Sequence, residues 1–452
     1  MKKLLILSFV LLIGLWGCGN GSEKYDDTKL INSIDDIKTQ LISLQDALEL
    51  YDLVNQDLED KITLLEGDTS ELEDKIKELQ KERARLSEEV SKLTKDLETL
   101  ETATGNVEIF LAKEYDLVVG NNFQLFYRSI IQAVNPYGFY IKLTGEYGHA
   151  YNRYFEWTPE LDHANKTYEL KVEICDNLGK VLKTATTKLN VHNFNKSTEA
   201  KNILCIGDSL TANGYWVSYG AEKYKEMGGT NLNFVGTTTG GYNGTSYKYE
   251  GHGGWQWSSY LSVTESPFSY SGSPSNISFK EYSKKHSFGE IDELYILMTW
   301  NGIGGRFRTF NMNSEPFVSA KKLIDQYHLD YPNGKVTLLG IPQPSVNAGL
   351  GAYYEIRLSY GDNYGQFVTA LNYNKQLEEF ANLEEYKSFM RYVDVKGQFD
   401  SEFNMPSSPK AVNEHSNVTE PVGNSMGMHP STQGYLQIGD VFYRALSNPW
   451  NS

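Results

Sequence analysis

The stretch KNILCIGDSL, residues 201–210, decides the fold. Its apolar core, ILCI at 203–206, has no polar alternation, which is typical of a strand that is covered on both faces. Gly207 permits a tight exit from the strand, so Ser209 is expected at or near the start of the following helix, where unpaired N–H groups favour developing negative charge. A serine there can be a nucleophile, or it can cap the helix without any chemistry.

Four further apolar runs follow this stretch, and the segments between them are long enough to form helices. The runs are NLNFVGTT at 231–238, ELYILMTW at 293–300, KVTLLGIP at 335–342 and RYVDVKG at 391–397. This alternation predicts a parallel α/β sheet with helices on both faces. Active sites in such sheets collect at the carboxyl ends of the strands.

Polar or glycine-rich blocks follow these runs where the rule requires them. They are YEGHGGW at 249–255, TWNG at 299–302 and MHPS at 428–431, the last just before a predicted amphipathic helix. Together with GDSL, and in this order, they closely resemble the blocks of the SGNH (GDSL) hydrolase family. The resemblance extends from Lys201 to the end of the chain, and it implies a flavodoxin-like α/β fold for a domain at 198–452.

The resemblance also implies roles for individual residues in the hydrolysis of esters. Ser209 would be the nucleophile and His429 the general base. The oxyanion hole would consist of the Ser209 N–H, the Gly254 N–H and the side-chain amide of Asn301. No cofactor or metal is implied, and His252 is interpreted as a structural loop histidine because no Cys or carboxylate stands at metal-ligand spacing.

Two features depart from the family pattern. The third block usually reads Gly-x-Asn-Asp, and this chain has Thr299 and Gly302 in its first and last places. The acid of the triad normally lies three residues before the histidine, where this chain has Met426, and no Asp or Glu lies between Pro421 and His429. A Ser–His dyad is the first interpretation, and an inactive, degenerate hydrolase is the third. The second is recruitment of a more distant acid, with these candidates: Glu420, Glu414, Glu402 and Asp400.

Residues 104–197 have a different character. Short runs rich in β-branched and aromatic residues, such as TYELKVEI at 167–174, alternate with turn signals such as NPYG at 135–138. Strands at this spacing predict a β-sandwich, similar to an immunoglobulin-like module. The module is interpreted as a spacer or support, with a carbohydrate-binding domain as the alternative.

A heptad repeat occupies residues 24–103. All ten d positions are apolar from Ile37 to Leu100, and Asn55 stands at an a position. The repeat predicts a coiled-coil stalk that requires a partner helix, as a parallel dimer whose register Asn55 fixes or as a trimer. A helical hairpin that folds back near Gly67 is the alternative. This segment has 22 acidic and 11 basic residues, so it holds most of the net charge of −16.

The first 18 residues predict export. Met1–Lys3 open a basic stretch, and the apolar run Leu4–Trp16 is shorter than the ~20 residues that a membrane-spanning helix needs. Gly17-Cys18 resembles a bacterial lipoprotein signal, which implies lipidation of Cys18 and a location at the outer membrane or cell surface. An ordinary secretory signal is the alternative. The other two cysteines, Cys175 and Cys205, are expected to be buried free thiols.

These features together predict an exported serine esterase that removes acyl groups, above all acetyl, from a polysaccharide or glycan. The acidic balance argues against a nucleic-acid partner. The enzymatic alternative is a lipase or thioesterase, which would call for an apolar acyl channel. The alternative from another class is a non-catalytic binding protein with an SGNH head, as in some phage tail fibres.

Overall fold

A computed structural model describes residues 27–64, 69–103, 107–345, 364–423, 427–448 and 450. The predicted signal at 1–18 with Cys18, the proposed bend at Gly67 and the Met426 position lie outside the described residues. None of the described helices is long and apolar enough to span a membrane. The chain divides into two compact units, with the boundary between residues 106 and 107.

In its described residues, the first unit has two helices, α1 (Asp27–Leu64) and α2 (Thr69–Ala103). Asp52 and Arg83 form an ion pair between them. Because the two residues lie at similar distances on either side of the interval 65–68, the helices run antiparallel. The single continuous stalk predicted for 24–103 is therefore wrong in this respect, and the hairpin alternative describes the unit.

The heptad positions explain why the hairpin forms. The a and d positions buried most deeply among the described side chains are Ile34, Ile37, Asn55, Ile76, Leu86 and Leu93. A heptad stripe requires an apolar partner, and the second half of this stripe supplies one within the same chain. The homo-oligomer stays a prediction.

The second unit begins with a β-rich part. Its elements are β1 (Glu108–Ile109), β2 (Glu114–Val118), β3 (Phe123–Phe126), the one-turn helix α3 (Tyr127–Ile130), β4 (Ile131–Gln132), β5 (Tyr140–Thr144), β6 (His149–Ala150), β7 (Tyr154–Trp157), β8 (Lys166–Cys175) and β9 (Val181–His192). One sheet has the order β2-β9-β8-β5 and another the order β3-β7-β6, while β1 pairs with β4. Leu117, Phe123 and Leu170 from the two larger sheets share one buried core. The immunoglobulin-like assignment stays a prediction.

The α/β part follows in the same unit. Its elements are β10 (Lys201–Gly207), α4 (Tyr215–Glu226), β11 (Leu232–Val235), β12 (Thr238–Gly240), β13 (Tyr247–Gly251), α5 (Phe279–His286), β14 (Glu293–Leu297), α6 (Glu315–Asp330), β15 (Lys335–Leu339), α7 (Tyr364–Ala381), β16 (Met390–Val393), β17 (Ser407–Ala411), β18 (Thr419–Gly423) and α8 (Thr432–Ser447). The main sheet has the order β12-β13-β10-β14-β15-β16, and β11 also pairs with β10. Its pairs are parallel except for β12 with β13. The predicted mixed α/β architecture is confirmed.

Alternate residues of β10 point into two different cores. Leu204 and Ile206 pack in the core that also contains residues of α5, α6 and α7. Ile203 and Cys205 pack in the core formed with α4 and α8. The sheet is thus covered on both faces, which explains the unbroken apolar run. Cys175 and Cys205 are both buried and unpaired.

Polar contacts join the β-rich part to the α/β part. Arg153 contacts the carboxylates of Asp400 and Glu402 at 2.7 and 2.8 Å. The Arg444 guanidinium on α8 donates a 2.8 Å hydrogen bond to the side chain of Asn121. The β-rich part is therefore joined to the α/β part by specific side-chain contacts.

Candidate active site

Three strand ends meet beside the GDSL block. Gly207, the last residue of β10, is in register with Gly251 of β13 on one side and with Leu297 of β14 on the other. A Cβ atom at Gly207 would lie 2.1 Å from Thr211 Oγ1 and 2.4 Å from the Leu297 carbonyl oxygen. Glycine is therefore required there, and the segments that leave the three strands start side by side.

Ser209 lies in a turn and not at the start of a helix. The N–H groups of Thr211 and Ala212 both donate to the Asp208 carbonyl at 2.9 and 3.0 Å, and α4 begins only at Tyr215. The helix begins six residues later than predicted, because these hydrogen bonds close a tight loop first. The Ser209 N–H has no acceptor among the described residues.

His429 lies against Ser209. The distance between His429 Nε2 and Ser209 Oγ is 2.8 Å. The histidine sits in the loop before α8, where Ser431 accepts a hydrogen bond from the Gly434 N–H at 3.3 Å and its own N–H donates to the Asn404 carbonyl at 2.9 Å. Burial lowers the pKa of His429. A neutral imidazole in this position can accept the hydroxyl proton of the serine.

Further hydrogen-bond donors come from the other two strand ends. Gly254 has a φ of 82°, a left-handed conformation that favours glycine. It lies in a turn that the Trp255 N–H closes by donating to the His252 carbonyl at 3.2 Å. In the part of the chain that the structure describes, the Gly254 N–H has no acceptor. Asn301, after β14, directs its amide towards Asp208, with 3.4 Å between Asn301 Nδ2 and Asp208 Oδ2.

Asp208 connects the serine turn to the Asn301 segment. Its fully buried carboxylate accepts hydrogen bonds from the Leu210 N–H at 3.0 Å, the Thr299 N–H at 2.8 Å and Thr299 Oγ1 at 2.5 Å. Burial raises the pKa of Asp208 from 3.8 to about 6, although the bonds from Thr299 and Leu210 oppose the rise. No role was predicted for Asp208, since its importance depends on burial and on a partner, Thr299, that is distant in the sequence.

A second carboxylate supports the glycine-rich loop. Glu250 is fully buried and accepts hydrogen bonds from Tyr282 Oη at 2.5 Å and the Thr237 N–H at 2.6 Å, and it lies 2.9 Å from His252 Nε2. Burial acts to raise the pKa of Glu250, but these hydrogen bonds outweigh it and lower the pKa. The His252 ring stacks on Trp255 with 4.1 Å between ring centroids. The contact between Glu250 and His252 thus anchors the loop that presents Gly254. Within the described ranges no cluster of three metal-ligating side chains occurs.

The distant carboxylates considered as acid partners are engaged elsewhere. Asp400 and Glu402 bind Arg153. Glu414 lies 2.7 Å from His415 at the surface, and Glu420 is exposed on β18. No carboxylate among the described residues lies within hydrogen-bonding distance of His429. The structure therefore brings together Ser209, His429 and the donor groups without an acid from this set.

Comparisons with known proteins reach only part of this chain. No family model and no curated protein matches the sequence. A carbohydrate esterase of family 3 from Talaromyces cellulolyticus is 14% identical with a TM-score of 0.34, covering 54% of this chain and 96% of that chain. An acetyl esterase with an acetate ion is 14% identical with a TM-score of 0.33, covering 53% and 92%. Phospholipase A1 from Streptomyces albidoflavus is 14% identical with a TM-score of 0.31, covering 53% and 98%. These neighbours are named as esterases or a phospholipase, and each match covers about half of this chain.

Proposed function

We propose that this protein is a serine esterase that removes acetyl groups from a polysaccharide or glycan. The observation that carries the proposal is the 2.8 Å contact between His429 Nε2 and Ser209 Oγ at the carboxyl edge of a parallel sheet. Nucleophile and base within hydrogen-bond reach are the requirement for covalent catalysis by serine. Three donor groups around them are suited to an oxyanion.

The reaction follows from these groups. Ser209 Oγ attacks the ester carbonyl carbon while His429 Nε2 takes its proton, and the N–H groups of Ser209 and Gly254 with the Asn301 amide stabilise the oxyanion. Collapse of the intermediate breaks the bond to the alcohol, which leaves with the proton from His429. Water then attacks the acyl-serine, gives a proton to His429 and releases the carboxylic acid as Ser209 is reprotonated.

The choice of a glycan ester is supported by the sequence. The segments around the blocks are rich in Gly, Ser, Asn and Tyr, as in GGYNGTSYKYEGHGG at 240–254. A lipase or thioesterase would need an apolar channel for an acyl chain, and these residues are poorly suited to lining one.

Acetate release tests the proposal. Purified full-length protein should hydrolyse 4-nitrophenyl acetate and acetylated glycans, and Ser209→Ala should lower kcat by about 10⁴-fold or more. Gly138→Ala, where the added Cβ meets nothing within 4 Å, is a matched control that should keep full activity. An unchanged kcat in Ser209→Ala would refute the proposed role of Ser209 as nucleophile. No turnover in the wild type would favour a non-catalytic binding protein, and preference for long-chain esters would favour the lipase alternative.

The proposal extends to the location of the enzyme. We infer that the chain is exported, lipidated on Cys18 and held at the outer membrane or cell surface, on the basis of the basic and apolar run that precedes Gly17-Cys18. Labelled palmitate should be incorporated into the wild type and not into Cys18→Ala. Labelling of both chains, or of neither, would contradict the anchor.

A further inference from the structure

A cationic loop lies directly after Asn301. Its sequence is GIGGRFR, residues 302–308, and no Asp or Glu occurs between Glu293 and Glu315. In a chain with a net charge of −16, this segment instead carries Arg306 and Arg308. The loop is thus basic in sequence within an acidic protein.

Hydrogen bonds to α7 hold the loop in a strained shape. The Phe307 N–H donates to the Gly365 carbonyl at 2.8 Å, the Arg308 N–H donates to Thr369 Oγ1 at 3.0 Å, and the Asn372 amide donates to the Arg308 carbonyl at 2.9 Å. Phe307 has a φ of 55°, which is unfavourable for a bulky side chain, and it is nevertheless 55% exposed. Strain that the surrounding structure imposes is characteristic of ligand clamps.

The loop borders the candidate active site. Arg308 Nη1 lies 3.4 Å from the Gly302 carbonyl oxygen and 3.0 Å from that of Gly304. Gly302 follows Asn301 in the chain and packs on Gln256, since a Cβ atom at Gly302 would lie 2.7 Å from Gln256 Oε1. The Arg308 guanidinium is therefore adjacent to the segments that carry two of the three oxyanion donors.

The chemistry of these side chains indicates a carboxylate ligand. A guanidinium has five N–H donors in a planar fork that matches a carboxylate. Arg308 uses only Nη1 for the two carbonyls, and its other N–H groups have no acceptor among the described residues. The Arg306 guanidinium lies over the Phe307 ring, 5.9 Å from its centroid, and the Phe307 side chain is largely exposed. An aromatic face next to a cationic fork fits a sugar ring that carries an acid group.

We propose that the loop 302–308 selects acetyl esters on acidic, uronate-containing polysaccharides. Arg306 and Arg308 bind a carboxylate of the polymer, and Phe307 packs on a sugar ring. This inference rests on the proposed esterase function and names its substrate class. The commitment to a glycan carboxylate, and not to a phospholipid headgroup, follows from the exposed ring of Phe307 between the two arginines, in a loop open to solvent.

Three acetyl esters test the inference. They are acetylated pectin, which is anionic, acetylated glucomannan, which is neutral, and 4-nitrophenyl acetate, which has no polymer. Wild type should show a kcat/KM for pectin that falls between low and high salt, because salt screens charge pairing at the surface. The double variant Arg306→Gln/Arg308→Gln should lose about tenfold in kcat/KM on pectin, mainly through a higher KM. Its loss on the other two esters should be smaller than on pectin, and any such loss reflects the bonds of Arg308 to the Gly302 and Gly304 carbonyls.

Control variants separate binding from folding. Arg306→Gln alone changes an exposed residue and should give part of the loss, while Lys284→Gln removes the same charge from α5 and should give none. Equal losses on all three esters, or no preference of the wild type for pectin, would overturn the inference while leaving the esterase intact. Faster hydrolysis of phosphatidylglycerol vesicles than of pectin would overturn it in favour of a lipid. No hydrolysis of 4-nitrophenyl acetate by wild type would instead refute the proposed function.

Discussion

Asp208 joins the serine turn to the candidate oxyanion donor, and the substitution Asp208→Asn tests that connection. The carboxylate accepts from the Leu210 N–H on one oxygen and from the Thr299 N–H and hydroxyl on the other, with Asn301 Nδ2 at 3.4 Å. Asparagine has the same shape but only one acceptor atom. Whichever way its amide is turned, an NH₂ group faces a buried N–H donor. We expect the variant to fold with lower stability and to turn over more slowly.

The magnitudes follow from these buried contacts. Loss of a hydrogen bond to a buried charged group costs about 1.5–3 kcal/mol, and an unsatisfied donor costs about 1–3 kcal/mol more. Against this, burial raises the pKa of Asp208 from 3.8 to about 6, so at neutral pH the wild type bears an ionisation cost of about 3 kcal/mol that asparagine avoids. The difference between these terms leaves a net destabilisation at neutral pH of about 0–3 kcal/mol. The cost of ionising Asp208 in the folded wild type grows as pH rises from 3.8 to about 6. The difference in free energy of unfolding between wild type and Asp208→Asn should therefore become smaller over that range.

The effect on turnover is expected to act through Asn301. Removing an oxyanion donor costs about 10²–10³ in kcat, so an amide that is only misdirected should cost about 10- to 100-fold. The assay is a double-mutant cycle of Asp208→Asn and Asn301→Ala on 4-nitrophenyl acetate, with urea unfolding of all four proteins. If Asp208 acts through Asn301, Asp208→Asn should lower kcat little further once Asn301→Ala has been made. A double variant whose kcat loss is the product of the two single losses would refute the connection, and so would a stable Asp208→Asn enzyme with wild-type kcat.

Three further outcomes are expected. Burial lowers the pKa of His429 below its ordinary 6.5, so kcat/KM for 4-nitrophenyl acetate should rise with pH along a limb with its midpoint below 6.5, and a midpoint above that value would contradict the burial argument. Gly207→Ala places a methyl group 2.1 Å from Thr211 Oγ1, and urea unfolding should show a loss of about 1–3 kcal/mol that the control Gly138→Ala lacks. Asn55 is buried with no hydrogen-bond partner for Oδ1 in the described hairpin, so Asn55→Leu should raise the stability of the hairpin by about 1–3 kcal/mol, measured by thermal unfolding. A change of oligomeric state on sedimentation, without a gain in stability, would instead assign Asn55 to a seam between chains.

The sequence predicts the strands well where burial is complete. The runs that became β10, β14 and β15 consist of residues buried on both faces, so their composition alone marks them. The short strand β12 has no buried residue and leaves no comparable signal. The heptad pattern predicts that the segment is helical and which of its side chains are buried. It does not predict the partner helix, because a helix of the same chain and a helix of another chain bury the same side chains.

The candidate site divides in a similar way. The rule that chemistry lies at strand ends pointed to Ser209 and Asn301, because each follows a recognisable run. Gly254 instead follows β13, a strand that was not among the predicted runs. Asp208 and Glu250 escaped a functional assignment since their importance depends on burial and on partners distant in sequence, Thr299 and Tyr282. Spacing along the chain does not encode such contacts.

The β-rich part bears on the position of the candidate base. Asp400, which Arg153 binds at 2.7 Å, accepts the Asn404 N–H on its carbonyl at 3.0 Å. The Asn404 carbonyl in turn accepts both the N–H and the hydroxyl of Ser431, the N-cap of α8, two residues after His429. A carboxylate considered as an acid partner for the histidine thus belongs to the support of its loop. The backbone beside His429 is thus held by hydrogen bonds that extend to the β-rich part, a component of the same folded unit.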